Sequence, residues 1–138
     1  MAGYTHSYSW ISIFFKLYND FYGHQAGDKA LQSVADILKD NIRGSDRLYR
    51  YGGEEILLVL PHTDLEQVKD VALKLVSAIE KKAIPHEKSS YQFLTISCGG
   101  ACVLDNGQIT SSWKQLIELV DQNLYKAKNN GRNCSIVS

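Results

Sequence analysis

Gly52 and Gly53 stand side by side between two runs of strand-forming residues, 47–51 and 55–60, and this arrangement limits the fold more than any other feature of the chain. Two consecutive residues without a Cβ admit the positive φ values of a tight hairpin, so the flanking runs are expected to be antiparallel neighbours in one sheet. Residues 9–14, 93–103 and 134–137 are also rich in β-branched and aromatic side chains and read as strands.

Three other stretches have helical periodicity. From 28 to 42, Leu31, Val34, Ala35, Leu38 and Ile42 fall on one stripe, and Gly44 follows as a stop. The second opens at Thr63-Asp64-Leu65-Glu66, where a Thr N-cap and a Glu three residues on satisfy each other's backbone donors. It turns Val68, Val71, Ala72, Leu75 and Ile79 inward and ends before Pro85. The third starts near Ser112, buries Trp113, Leu116, Ile117, Val120, Leu124 and Ala127, and closes at Gly131 as a left-handed C-cap. The order strand, helix, strand, strand, helix, strand, helix, strand predicts an α+β sandwich with a central, mostly antiparallel five-stranded sheet flanked by helices.

A chain of 138 residues suits one domain with its own core. Residues 1–9, small and polar, read as a tag or as a frayed or replaced end, leaving 10–138 as the domain. The 15 Lys and Arg are balanced by 15 Asp and Glu, so no net field draws the chain to nucleic acid or to an anionic membrane, and any phosphate site must be local. The longest apolar run, 56–60, is too short to span a bilayer, and no secretory signal opens the chain. Cys98, Cys102 and Cys134 form no CxxC pair and read as reduced thiols. A cytoplasmic location follows, for a free protein or for the cytoplasmic part of a membrane-anchored one.

Chemistry concentrates at the hairpin. Gly52-Gly53-Glu54-Glu55-Ile56 places two carboxylates just past the turn, and alternation along the strand sends them to opposite faces. Read alone, this is an exposed acidic turn. Read alone, too, Asp28 is a helix N-cap, Lys128 and Arg132 are a solvated helix end, and Arg43 and Asp46 are a surface ion pair.

The turn has company, however. Upstream runs Phe14-Phe15-Lys16-Leu17-Tyr18-Asn19-Asp20-Phe21-Tyr22-Gly23-His24-Gln25-Ala26-Gly27-Asp28, and downstream Leu124-Tyr125-Lys126-Ala127-Lys128-Asn129-Asn130-Gly131-Arg132-Asn133. In this order the three blocks resemble the GGDEF family of diguanylate cyclases, in a GGEEI form, over about residues 14–137. The resemblance implies a fold like the palm of nucleotide cyclases and polymerases. It also implies condensation of two GTP into cyclic di-GMP with release of pyrophosphate, in a homodimer whose halves each hold one GTP, under an input domain elsewhere in the parent protein.

The resemblance distributes roles. Glu54 and Glu55 match the acids that hold Mg2+ or Mn2+, with Glu55 assigned either to a second cation or to proton abstraction, and the Ser12 carbonyl is a further ligand. Gly52 and Gly53 admit the nucleotide close to the backbone. Asn19 and Asp28 match the pair that reads guanine: a carboxylate accepts from N1 and N2, which adenine cannot offer. The amides of Phe14, Phe15 and Lys16, with the cations of Lys16, Lys128 and Arg132, match the triphosphate cradle. Arg43-Gly44-Ser45-Asp46 matches the family's RxxD product-inhibition site, which binds cyclic di-GMP.

One departure matters. The family's first strand carries acids in a run resembling Asp-x-Asp-x-Phe-Lys; here Ile11 and Ile13 hold those positions, with Ser12 between. A two-cation site short of an anionic ligand is expected to turn over slowly. The alternative is a catalytically degenerate domain that holds GTP or cyclic di-GMP as a binding and signalling module. Ile56, where the family has Phe, is expected to alter packing only.

Overall fold

The computed structural model describes residues 4–105 and 113–138. In chain order the elements are β1 (Tyr4–Ile13), α1 (Lys16–Tyr22), α2 (His24–Asp40), β2 (Arg47–Arg50), β3 (Glu55–Leu60), α3 (Leu65–Lys82), β4 (Ile96–Asp105), α4 (Trp113–Asn129) and β5 (Ser135–Val137). The sheet order is β2-β3-β1-β4-β5. Its first three pairings are antiparallel and β4–β5 is parallel, as the expected mostly antiparallel five-stranded sheet requires.

β1 lies at the centre, and its alternation divides the interior. Ile11 and Ile13, both 0% exposed, point with Ile56, Leu58 and Cys98 into a core closed by Val34 and Leu38 of α2 and by Val68, Leu75 and Ile79 of α3. Trp10 points the opposite way, against Leu116, Val120 and Leu124 of α4. Burying an isoleucine side chain contributes about 1.5–3 kcal/mol. At positions 11 and 13 the strand therefore serves the core.

Several expectations need correction. Residues 4–9 are not frayed: they belong to β1, with Ser7 opposite both Leu60 and Cys102. Their small side chains suit tight places, since Ser7 Oγ donates to the Thr63 carbonyl (2.8 Å) and Ser9 lies against Gly100. α1 has no counterpart in the expected order of elements, and α2 begins at His24 behind Gly23, whose φ of 90° makes the corner between the two helices. Asp28 is thus inside α2 and is not its N-cap. α3 is capped by Asp64 and Gln67, each side chain bonding the other's backbone N–H at 2.9 Å, in place of Thr63 and Glu66. Neither Gly52 nor Gly53 takes a positive φ; the turn closes through Tyr51 N–H to the Glu55 carbonyl (3.0 Å). β4 begins at Ile96, because Phe93 is drawn off into a bridge with Pro85.

Gly131 does end α4 as expected, at φ 102°, with Gly131 N–H reaching the Lys128 carbonyl (3.4 Å) and Arg132 N–H the Ala127 carbonyl (3.1 Å). The expected start near Ser112 and the side chain of Trp113 lie outside the described residues. The three cysteines are free thiols, and burial pushes Cys98 up to about 12, which leaves it unreactive.

Candidate functional site

The site forms where β1, the α1–α2 corner and the β2–β3 turn meet. Ile13 N–H donates to the Glu54 carbonyl (2.9 Å), fastening the turn to the end of β1. Helical spacing then sets what faces it. Lys16, Asn19 and Asp20 share one face of α1, at i, i+3 and i+4, and His24, Asp28 and Leu31 share one face of α2, at i, i+4 and i+7. Of the expected site residues, Phe15, Lys16, Asn19, Asp28, Gly53 and Glu54 line one cavity of about 320 Å³. Asp20, His24, Leu31 and Arg50, none of them among the expected site residues, line it too.

Asn19 is held by its surroundings. Its Oδ1 is buried without a partner among the described residues, pressed into the space left by Gly27, where an added Cβ would overlap it. Gly52 and Gly53 leave the space beside the turn open, for a Cβ on either would meet no atom within 4 Å. That openness, and not a left-handed backbone, is what these glycines supply.

A second group gathers across β1. Glu55 points to the α4 side of the sheet, where Lys128 Nζ lies 3.8 Å from its Oε1. The Arg132 guanidinium sits over the Phe14 ring at 4.3 Å from its centroid, reached by a backbone at φ 63°. Tyr91 Oη pins this loop by donating to the Gly131 carbonyl (2.6 Å). Of the three amides expected to cradle phosphate, Phe14 N–H is engaged with the Thr95 carbonyl at 3.4 Å.

Arg43 and Asp46 stand apart, at the far end of β2. The Asp46 carboxylate accepts from Arg43 through the backbone N–H (2.8 Å) and Nη2 (2.9 Å). Their bond raises the basicity of the guanidinium above its ordinary range.

The residues present do not fit a pair of divalent cations. Glu54 and Glu55 diverge to opposite faces, Ile11 and Ile13 are sealed in the core, and Ser12 is 1% exposed between two paired strands. Among the described residues no three His, Cys, Asp or Glu side chains come together as a metal site.

Fold and cavity together define a mixed α/β domain with a polar site at a hairpin turn. The family model for the diguanylate cyclase GGDEF domain matches residues 12–134, and the chain belongs to that family. It is 40% identical over 119 residues to YtrP of Bacillus subtilis, covering 86% of this chain and 19% of YtrP. It is 39% identical over 120 residues to Diguanylate cyclase A of Treponema denticola, covering 87% of this chain and 31% of that protein. Its structure matches the GGDEF domain of DgcB from Caulobacter crescentus, solved in complex with c-di-GMP, with TM-score 0.83 and 25% identity over 97% of this chain and 78% of that one. The chain therefore spans under a third of either curated relative.

Proposed function

We propose that this domain binds GTP at the β2–β3 turn and that its condensation of two GTP into cyclic di-GMP is strongly reduced. One observation carries the reading: Lys16, Asn19, Asp28 and Glu54 converge on a single cavity from a helix pair and a turn. Asp28 accepts from guanine N1 and N2, Asn19 donates to O6, and Lys16, Lys128 and Arg132 offset the triphosphate charge. When bound, divalent cations supply charge compensation and activation of the attacking 3′-hydroxyl in this family's reaction. The metal misfit removes several kcal/mol of that compensation, at least about a hundredfold in rate.

The same misfit favours a second use, as a module that holds GTP or cyclic di-GMP and signals through a partner. Cyclic di-GMP recognition is assigned to Arg43 and Asp46, which must then exchange part of their mutual bonding for a guanine edge. A homodimer, an input domain in the parent protein and a cytoplasmic setting complete the proposal; among the described residues no helix is long and apolar enough to cross a membrane.

Calorimetry with GTP, followed by measurement of cyclic di-GMP formed with Mg2+, tests it. Heat with GTP and product at under about a hundredth of the rate of a cyclase carrying the first-strand acids is the expected result. Product at the full rate defeats the impairment, and no heat with GTP defeats the site.

A further inference from the structure

We propose that Arg50 is a third reader of the guanine base, donating to its O6/N7 edge; the inference rests on the GTP reading above. Arg50 closes β2 opposite Ile56 and shares a face of the sheet with Leu48, the face turned towards α2. It lines the 320 Å³ cavity together with Asn19, Asp28 and Glu54. It also lines an adjoining cavity of about 490 Å³ between α2 and the β2–β3 hairpin, floored by Leu31, Leu48 and Ile56. Asp28 and Leu31 belong to both cavities, so a carboxylate, an aliphatic surface and a guanidinium meet at their junction.

Neither Arg50 nor Asp28 has a side-chain hydrogen bond or an ion pair among the described residues. A guanidinium with its donors free therefore faces the same space as a free carboxylate. Guanine presents two chemically opposite edges to such a space. N1–H and N2–H donate, which the Asp28 carboxylate satisfies, while O6 and N7 accept side by side, the pattern that a planar guanidinium fork matches with two parallel bonds. Asn19, with one amide group, serves O6 and leaves N7 without a donor. Adenine turns an amino group towards the same place, donor against donor, so Arg50 adds to the selection of GTP over ATP. A phosphate role is less suited to its position. Of the three phosphate cations, Lys128 and Arg132 lie across β1 beside Glu55 and Phe14, and Lys16 lines the 320 Å³ cavity but not the adjoining one, whereas Arg50 lines both together with the base-reading Asp28.

The test is calorimetry on the whole chain with GTP, 7-deaza-GTP, which lacks the N7 acceptor, and ITP, which lacks the N2 amino group. The parent is expected to bind 7-deaza-GTP about tenfold to a hundredfold more weakly than GTP. Arg50→Gln and Arg50→Lys are both expected to lose that difference; the lysine keeps the charge but not the fork. Arg50 is exposed, so both variants are expected to melt as the parent does. Asp28→Asn is expected to lose the preference for GTP over ITP while keeping the 7-deaza penalty. A penalty that survives in Arg50→Lys, or none in the parent, overturns the inference and leaves the GTP site standing. Failure of the parent to bind GTP overturns both.

Discussion

The side-chain amide of Asn19 occupies the space that a side chain at residue 27 would need. A Cβ built on Gly27 falls on Asn19 Oδ1, 2.9 Å from Cγ and 3.2 Å from the Phe15 ring. Gly27→Ala should gain up to about 1 kcal/mol in helix propensity and lose about 1–3 kcal/mol to overpacking, a net loss of about 0–2 kcal/mol that lowers the melting temperature by at most several degrees and leaves the domain folded. Its GTP affinity, by contrast, should fall about tenfold, because the displaced group is one of the base-reading side chains in the proposed site. Thermal melts alongside calorimetry separate the two effects. Unchanged affinity would mean that Asn19 does not contact the nucleotide.

Glu55 and Lys128 form an ion pair at 3.8 Å with side chains 37% and 29% exposed, so the pair adds about 0–1 kcal/mol to stability. On the proposed reading, and with divalent metal removed, the Glu55 charge repels a triphosphate and engages Lys128, a cation assigned to that triphosphate. Glu55→Gln should therefore bind GTP about two- to fivefold more tightly in EDTA, the modest gain expected of one charge in a high-dielectric setting. The melting temperature should stay where it is. A tenfold loss of affinity when the titration is repeated with Mg2+ would instead show that Glu55 acts as a metal ligand.

The parts of the fold that could be read from the sequence are those with a repeating pattern. Leu31, Val34 and Leu38 announce α2, and Gly52 with Gly53 announces the hairpin. α1 escapes because it has two turns and one buried residue, Tyr18, too little for a period to show. The start of β1 escapes because Ser7 and Ser9 look like a polar tail until Thr63 and Gly100 are seen closing over them. The site divides the same way. Lys16, Asn19, Asp28 and Glu54 belong to the motif itself, and once α2 is known to begin at His24, both His24 and Leu31 follow as neighbours of Asp28 one turn away. Arg50 needed the pairing of β2 with β3, which puts it beside Ile56 on the inner face.

Arg43 does more than accompany Asp46. Its Nη2 also reaches the Pro61 carbonyl (2.8 Å) and Thr63 Oγ1 (2.6 Å), so it joins the turn after α2 to the turn before α3, with the Asp46 side chain 1% exposed beneath it. Hydrogen bonds to charged groups contribute about 1.5–3 kcal/mol, and Asp46→Ala should cost that much in denaturant melts. Thr63→Val, which removes one neutral partner, should cost about 1 kcal/mol and leave cyclic di-GMP binding intact. Arg43→Ala should lose both stability and cyclic di-GMP binding. If Arg43→Ala gives the same heat with cyclic di-GMP as the parent, Arg43 is a fastener and not a recognition residue.

His86 sits under the Phe14 end of the site, with ring centroids 5.8 Å from Phe14, 5.3 Å from Tyr18 and 6.4 Å from Tyr22. Both ring nitrogens are buried without a partner among the described residues. Burial lowers its pKa below the ordinary 6.5, and the Phe14 backbone opposes this only in part. The folded protein thus keeps His86 neutral at a pH where the unfolded chain has already taken up a proton. The unfolded state binds more protons in that window, so stability rises with pH: the contribution is complete above about 6.5 and is lost as pH falls from there through the lower folded value. Because Phe14 carries the Arg132 guanidinium on its ring, loosening this cluster should weaken GTP binding over the same range. His86→Phe keeps an aromatic ring in place and removes the proton. Its melting temperature should fall less between pH 7.5 and 5.5 than that of the parent, and its GTP affinity should be flatter with pH; parallel curves for the two proteins would exclude His86 as the titrating group.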